Sequence, residues 1–376
     1  MKYRVIAASA ALVASSSAAY AVGLDRSTRP TGLIFESGNI LEFSLGFSEP
    51  SIDGTDFTPP VLGGPQPTGN IAESFVIWGI GVRYEVNDQF SVGLIVDEPY
   101  GADILYGPSS TLLGGTAAKV DSSAITAFGR YKFDQNWSVH GGLIYQNISA
   151  NVTLSGLAYG GISGYNAAFS NDSAVGYMVG AAYEIPEIAL RIALTYHSEI
   201  DHELDTFESV GPSIIGSSTT EVTTPETIEL AVQSGIAQDT LLFGSVRFSH
   251  YSATTVSPVG LQTITGNPNA SLTDLENAWD AEIGIGRRFN DKWSGSVSIG
   301  WEQKGEDDFV SPLGSTNGAT FLTVGAAYQL NESTKISGGI RYTDFGNATP
   351  NVGGTAVGSF EGDSAISAGL RIQYSF

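Results

Sequence analysis

The sequence predicts an all-β fold, a transmembrane antiparallel β-barrel of about fourteen strands with a short amino-terminal plug segment. Three observations predict it. The first is the last stretch, residues 363–376. From Ile366 on, Ile366, Ala368, Leu370, Ile372, Tyr374 and Phe376 alternate with Ser367, Gly369, Arg371, Gln373 and Ser375, and the sequence closes on phenylalanine. Successive side chains of a strand face opposite ways, so this strand has one apolar and one polar wall. A final strand of that kind, ending on an aromatic residue, is usual in bacterial outer-membrane barrels, and Phe376 is the expected signal to the barrel-assembly machinery. The second observation is that apolar residues are spread one in two. Glycine is abundant (46), charge is sparse (15%), and continuous apolar blocks are rare. A sheet with lipid outside and water inside has this pattern. The third is that connections alternate strictly between short and long, as periplasmic turns and outer loops do.

In chain order, residues 1–21 read as a secretory signal. Lys2 and Arg4 supply the positive end, residues 5–14 an uncharged apolar core, and Ala19-Tyr20-Ala21 a small-x-small cleavage site. The apolar run is well below the roughly 20 residues of a spanning helix. Because Lys2 and Arg4 leave with it, the net charge moves from −22 to −24. Residues 22–38 show no clear period and form the short plug segment; residues 39–376 form the barrel. Alternating runs lie at 39–48, 73–86, 89–97, 119–133, 136–153, 173–184, 187–200, 224–235, 240–252, 277–289, 292–303, 318–329, 333–345 and 361–376.

The short connections are Asn87-Asp88, Asp134-Gln135, Ile185-Pro186, Gln238-Asp239, Asn290-Asp291 and Asn331-Glu332, all turn-prone pairs. Long stretches rich in Gly, Pro, Ser and Thr, such as 49–72, 160–172, 211–222 and 253–276, read as outer loops. This order puts both termini on the periplasmic side. Aromatics gather beside the short turns (Tyr84, Phe90, Phe133, Trp137, Tyr183, Phe289, Trp293, Tyr328, Tyr374), where rings with a polar tip favour the headgroup zone. Tyr196, Phe248, Trp301 and Tyr342 form a second set at the outer ends.

Following the alternation inward places Arg83, Arg191, Glu229, Arg247, Asp280, Glu282, Glu302, Arg341 and Arg371 in the lumen. Charges of both signs there read as structural ion pairs, or as guides for an amphipathic head group. The acidic balance excludes a nucleic-acid partner, whose phosphates need a basic surface. It suits outer loops that meet lipopolysaccharide through divalent cations. No cofactor is expected.

Catalysis finds little support. Asp201-His202 and Asp307-Asp308 stand at outer strand ends, where some barrel proteases keep acidic and Asp-His pairs, and Ser249 stands beside His250 in no recognisable motif. His197 and His202, among Glu199, Asp201 and Glu203, suggest a metal site, but neighbours at odd offsets face opposite sides of a strand and do not converge easily.

The run Val92-Gly93-Leu94-Ile95-Val96-Asp97-Glu98-Pro99-Tyr100-Gly101 resembles the third-strand region of the FadL-type transporters of long-chain fatty acids and hydrocarbons. Leu194-Thr195-Tyr196-His197-Ser198-Glu199-Ile200-Asp201-His202 and Thr224-Pro225-Glu226-Thr227-Ile228-Glu229-Leu230 are similar to that family too, as are Trp279-Asp280, Ile283-Gly284 and the closing strands. The resemblance implies a fourteen-strand barrel. Cargo would settle at the surface, pass to a lumen pocket and leave sideways through a wall opening in the third strand. Pro99 and Gly101 stand where that opening falls: proline removes a ladder donor and glycine weakens the pleat, so they either break the wall or simply end the strand. The family's amino-terminal hatch with its Asn-Pro-Ala motif is missing. Only residues 22–38 remain for that part, with Leu24, Leu33, Ile34 and Phe35 able to reach the lumen.

These readings combine into one expectation: a non-enzymatic outer-membrane channel of a Gram-negative bacterium for passive uptake of hydrophobic small molecules, long-chain fatty acids first, by lumen capture and lateral release. Its expected path runs by Leu33, Ile34, Phe35, Pro99, Tyr100, Gly101, Arg191, Arg341 and Arg371, and its expected partners are the cargo and outer-membrane lipid with lipopolysaccharide. The alternatives are a general diffusion porin for polar solutes and a surface adhesin.

Overall fold

In the computed structural model, residues 24–27, 31–314 and 316–376 are described; the expected signal peptide, residues 1–21, lies outside them. Fourteen antiparallel strands form the wall: β1 Ile40–Ser51, β2 Phe75–Glu85, β3 Phe90–Asp97 continued by Gly101–Leu105, β4 Ala117–Lys132, β5 Trp137–Leu154, β6 Tyr165–Ile185, and β7 Leu190–His197 continued by Ile200–Val210. Next come β8 (Ser213–Thr224, then Thr227–Ala237), β9 Thr240–Ser249, β10 Ala278–Arg288, β11 Trp293–Glu302, β12 Ala319–Gln329, β13 Thr334–Phe345 and β14 Ser364–Ser375. Each strand pairs with its neighbours in sequence, and β14 pairs with β1 from Ile40↔Ser375 to Ser51↔Ser364, which closes the sheet. Closure leaves no free edge, as a sheet in lipid requires.

The alternation read from the sequence becomes two faces. On β1, Leu41, Phe43, Leu45 and Phe47 are exposed on the outside, whereas Ser48 is buried inside. On β11, Trp293, Val297, Ile299 and Trp301 face out and Ser298 and Glu302 face in. So large an exposed apolar belt is a lipid-facing surface. Ring pairs mark its periplasmic rim: Trp137 lies 4.8 Å from Tyr183 and Trp293 lies 4.7 Å from Tyr328, centroid to centroid.

Four of the short turns share one device. The side-chain oxygen of Asn87, Asp134, Asn290 or Asn331 accepts the backbone N–H groups two and three residues ahead, which stands in for a ladder bond and reverses the chain. The other two turns put Ala189 and Asp239 in the left-handed region.

Two stretches expected to be loops, 160–172 and 211–222, are largely strand. β6 begins at Tyr165, and Ile200–Val210 pairs with Ser213–Thr224 to raise a hairpin above the apolar belt. Here Asp201, Glu203 and Asp205 face out and His202 and Leu204 face in. A reading based on apolar alternation passes over such strands, because their outer face meets water rather than lipid.

Outer loops roof the barrel. Asp53–Asp56, Pro67–Asn70 and Gly358–Phe360 make a small three-stranded sheet, and a helix, α1 (Val259–Thr265), lies in the loop after β9. Two buried carboxylates tie this roof down. Asp56 accepts from Thr58, the Gln66 and Leu112 amides and the Ser110 hydroxyl. Burial alone would raise its pKa, but these donors outweigh burial and hold it below the usual carboxylate range. Glu208 accepts from the Tyr165 and Ser218 hydroxyls and from the Gly260 and Leu261 amides at the start of α1.

Candidate functional site

Beneath the roof lies a cavity of about 360 Å³. Its floor and sides are small or apolar residues from the upper wall, among them Ala118, Val120, Ile148, Val152, Phe169 and Leu204. Val256 and Leu272 come down from the loop that carries α1. Leu24, from the amino-terminal segment, also lines it, and Asp274, Glu276 and Asp307 contribute the carboxylates of the lining.

Leu24 connects this cavity to a break in the wall. β2 and β3 pair from Ile80↔Val96 to Glu85↔Ser91 and meet again only at the isolated bridge Ala72↔Ile104. Both contacts belong to one continuous register, yet between them the pleats are out of phase. Val76 is 57% exposed on the outside, and Tyr100, which that register sets opposite, is 2% exposed on the inside. Partners across an antiparallel ladder share a face, so the ladder lapses here. The orphaned Trp78 amide is capped by the Glu98 carboxylate at 3.1 Å.

Residues 24–27 cover this first seam from the lumen side, held to its β3 edge by an antiparallel bridge at Asp25↔Tyr100. The Arg26 amide donates to the Pro99 carbonyl (2.8 Å), the Ser27 amide to the Glu98 carbonyl (3.0 Å), and the Gly101 amide to the Leu24 carbonyl (2.8 Å). Asp25 pairs with Arg247 at 2.7 Å, and Arg247 also holds Asp280 at 2.8 Å. The Arg26 guanidinium lies 3.3 Å from the Phe75 ring centroid, across the seam. Gly101 permits this approach, because a Cβ there would stand 2.7 Å from Arg26 Nε. Pro99, Tyr100 and Gly101 are therefore together at the wall break, in contact with the amino-terminal segment.

Leu33, Ile34 and Phe35 sit in a 3-10 turn, Gly32–Phe35, in the lower lumen. Leu33 fits against Gly81, where a Cβ would meet it at 2.6 Å. Together with Ile34 it joins Ile40, Phe128, Ile144, Met178 and Ile200 in an apolar cluster. Phe35 is clasped by two cations, Arg130 at 4.8 Å and Arg191 at 4.6 Å from its centroid, with His140 edge-on at 5.3 Å. Arg341 and Arg371 stand elsewhere: Arg341 over the Phe321 ring and 3.6 Å from Glu282, Arg371 3.3 Å from Glu42. With Arg83–Glu85, Arg130–Glu184 and Arg247–Asp280, these are ion pairs along the inner wall.

The histidine expectation needs correcting. His197 and His202 both face the lumen, because β7 reverses its pleat between them: inward positions are odd up to His197 and even from Ser198 on. His202 bonds Asp172 (3.0 Å) and Gln146 (3.1 Å) rather than its neighbour Asp201, whose carboxylate accepts from Thr223.

Sequence reasoning missed Asp25, Arg26 and Glu98. Their signal was faint: two charges in a short aperiodic segment, and a glutamate before a proline. The loop residues of the cavity gave none, since only the fold brings them over the lumen.

A chamber with a largely apolar wall lining inside a lipid-embedded barrel, with a stoppered break beside it, fits a transport channel of the outer membrane. The family model described as outer membrane protein transport protein (OMPP1/FadL/TodX) matches residues 39–376, and the chain belongs to that family. It is an outer-membrane channel for hydrophobic compounds in a Gram-negative bacterium, and not an enzyme. Among solved structures, a Pseudomonas aeruginosa FadL homologue is similar with a TM-score of 0.72 at 15% identity over 92% of both chains. The Ralstonia pickettii toluene transporter TbuX follows with 0.61 at 15% identity (91% of this chain, 90% of that one), and the P. putida toluene transporter TodX with 0.64 at 13% identity over 93% of both. No curated protein sequence matches.

Proposed function

We propose that the protein takes up hydrophobic small molecules passively, holds them in the lumen cavity beneath the roof, and releases them sideways through the seam at residues 98–101 once residues 24–27 withdraw. The carrying observation is that Leu24 belongs to both places: it lines the cavity, and its own segment stops the seam. Apolar burial holds the cargo in transit.

The lining also bears on which hydrophobe travels. Its described residues include Asp274, Glu276 and Asp307 but neither lysine nor arginine. A fatty-acid anion would enter that chamber without a counter-charge, and burying an unpaired carboxylate is costly. Arg247, which holds Asp25 next to Leu24, already has two carboxylate partners. The volume is at the small end of ligand pockets, which run from about 300 to 1,000 Å³. Compact uncharged hydrocarbons therefore fit better than the long-chain fatty acids that the sequence puts first, and toluene, the cargo named for two of the similar structures, is the natural probe.

The test is uptake of labelled toluene and labelled oleate by an outer-membrane-transport-deficient strain carrying the protein, with single-channel conductance beside it. We expect saturable toluene uptake, slower oleate uptake and little conductance. Large steady conductance without saturable uptake would leave a general diffusion porin. Faster oleate than toluene would overturn the preference for uncharged cargo.

A further inference from the structure

We infer that the wall contains a second lateral portal, at the seam between β6 and β7, through which cargo reaches the cavity from the outer membrane interface; this rests on the reading that the cavity carries hydrophobic cargo. The seam is a second lapse of the ladder. β6 and β7 pair from Leu190↔Ile185 to His197↔Met178, and again from Thr206↔Phe169 to Val210↔Tyr165, in one unbroken register. Between them, residues 170–177 face residues 198–205 without ladder pairing. The cause is a mismatch of pleat. β7 reverses its inward parity at Ser198, whereas β6 reverses at a bulge at residues 170–171, where its register against β5 shifts. Over the stretch between the reversals, an inward residue of β6 is opposite an outward residue of β7. Asp172 opposite Glu203 is one example, and no regular ladder closes such a pair of strands.

One backbone bond and several side-chain contacts close the seam instead. The Ser198 amide donates to the Tyr177 carbonyl, and the Ser198 hydroxyl accepts from the Tyr177 amide. Asp172 accepts from the Glu203 amide at 3.3 Å and holds His202, which also reaches Gln146. Ile200 fills the hollow over Gly176, where a Cβ would stand 2.5 Å from its Cγ1.

Both sides of the seam suit an apolar traveller. Behind it, Phe169, Leu204 and Val222 line the cavity directly. Outside its lower end, Val175 and Tyr177 are exposed at the top of the apolar belt, beside Tyr196; outside its upper end, Asp201, Glu203 and Asp205 face water. The seam thus straddles the boundary where a hydrophobe dissolved in the outer leaflet would meet the barrel. It repeats the construction of the first seam, with register kept, pleats out of phase and an orphan amide capped by a carboxylate of the facing strand (Glu98 there, Asp172 here). A lipid-embedded wall otherwise keeps its backbone bonds.

The experiment uses the full chain with Gly176→Cys and Ile200→Cys, positions where the Ile200 side chain packs on the Gly176 backbone across the seam, and as control Ala182→Cys with Ala193→Cys, partners on the intact ladder below. Uptake of labelled toluene is compared with each pair oxidised and reduced, the cross-link being confirmed by mobility on a gel. We expect the seam cross-link to slow uptake several-fold and reduction to restore it, with the ladder cross-link silent. Equal rates in the oxidised and reduced seam variant would overturn the portal while leaving the channel intact. A wild-type chain that takes up no toluene would overturn the channel reading itself, and the portal with it. His202→Ala, which unpins the seam without adding bulk, gives a second check: faster uptake is expected, and an unchanged rate would count against the portal.

Discussion

The first seam, between β2 and β3, and the second, between β6 and β7, are the same departure from a regular barrel, yet they are closed by different means. Residues 24–27, remote in sequence from the wall they seal, close the first with backbone hydrogen bonds and an arginine laid over Phe75. The second closes on itself through Ser198, Ile200 and the His202–Asp172 pair, all from its own two strands. A stopper that belongs to neither strand can leave as a unit, so the first seam is suited to opening wide. A closure made by contacts within the two strands themselves can only part locally. This difference in linkage, rather than any difference in the ladder, is what suits one seam to the proposed exit and the other to the proposed narrow entrance.

The largest effect that would break this comparison is removal of the stopper. Deleting residues 24–27 takes away three backbone hydrogen bonds to the wall and the Asp25–Arg247 pair. At about 1 kcal/mol for each bond, the closed state loses roughly 3 kcal/mol, and the open fraction rises by about two orders of magnitude. Toluene uptake should rise accordingly. A deletion variant as tight as the wild type would show that the first seam, like the second, is closed by its own strands.

Arg26→Ala should do the same thing more gently. The stacking over Phe75, a contact worth about 0.5–2 kcal/mol, is lost together with the attraction of Asp103, Asp121 and Glu98, so the open fraction rises at least several-fold while the backbone bonds of the segment persist. Toluene uptake by cells carrying the variant would read it. If uptake by this variant matches wild type, the guanidinium is a passenger on the stopper rather than its latch.

How far these regions were legible in the sequence follows from the same contrast. The lipid-facing strands could be read because lipid demands apolar side chains on every second position, and the turns because Asn87, Asp134, Asn290 and Asn331 bond their own backbone. The first seam left a trace, since Pro99 and Gly101 are residues that a ladder tolerates poorly. The second left almost none: Ser198 and Glu199 are ordinary strand residues, and the reversal of pleat shows only once His197 and His202 are both found inside. Pro225, on the neighbouring strand at the level of the reversal, was the nearest signal, and it was read as part of a strand start. The cavity was illegible for another reason. Its lining joins wall residues to loop residues more than a hundred positions away, and spacing along the chain cannot report such contacts.

The smallest expected effect separates the second seam from the roof as the place where cargo enters. Asp363 joins the last loop to the first by accepting the Asp53 amide at 2.8 Å. Burial, with the nearby Asp53 charge adding to it and that hydrogen bond opposing it, pushes its carboxyl up to about 6. A carboxyl raised in the folded state binds its proton more tightly there than in the unfolded chain. Its charged form therefore weakens the roof above about pH 6, and the penalty fades as pH falls from 6 towards the unfolded value of about 4. Asp363→Asn keeps an acceptor for Asp53 and removes the charge. It should tighten the roof at pH 7.5 by no more than about 1–2 kcal/mol and leave it unchanged near pH 4. Amide exchange at Asp53, compared between variant and wild type at each pH, reads the difference; parallel profiles would mean that the charge is already relieved by solvent. Toluene uptake by the same variant then carries the comparison. If cargo enters through the roof, a tighter roof slows uptake at pH 7.5 and not near pH 4. If it enters through the second seam, uptake ignores Asp363 at either pH and responds only to the residues that hold β6 against β7.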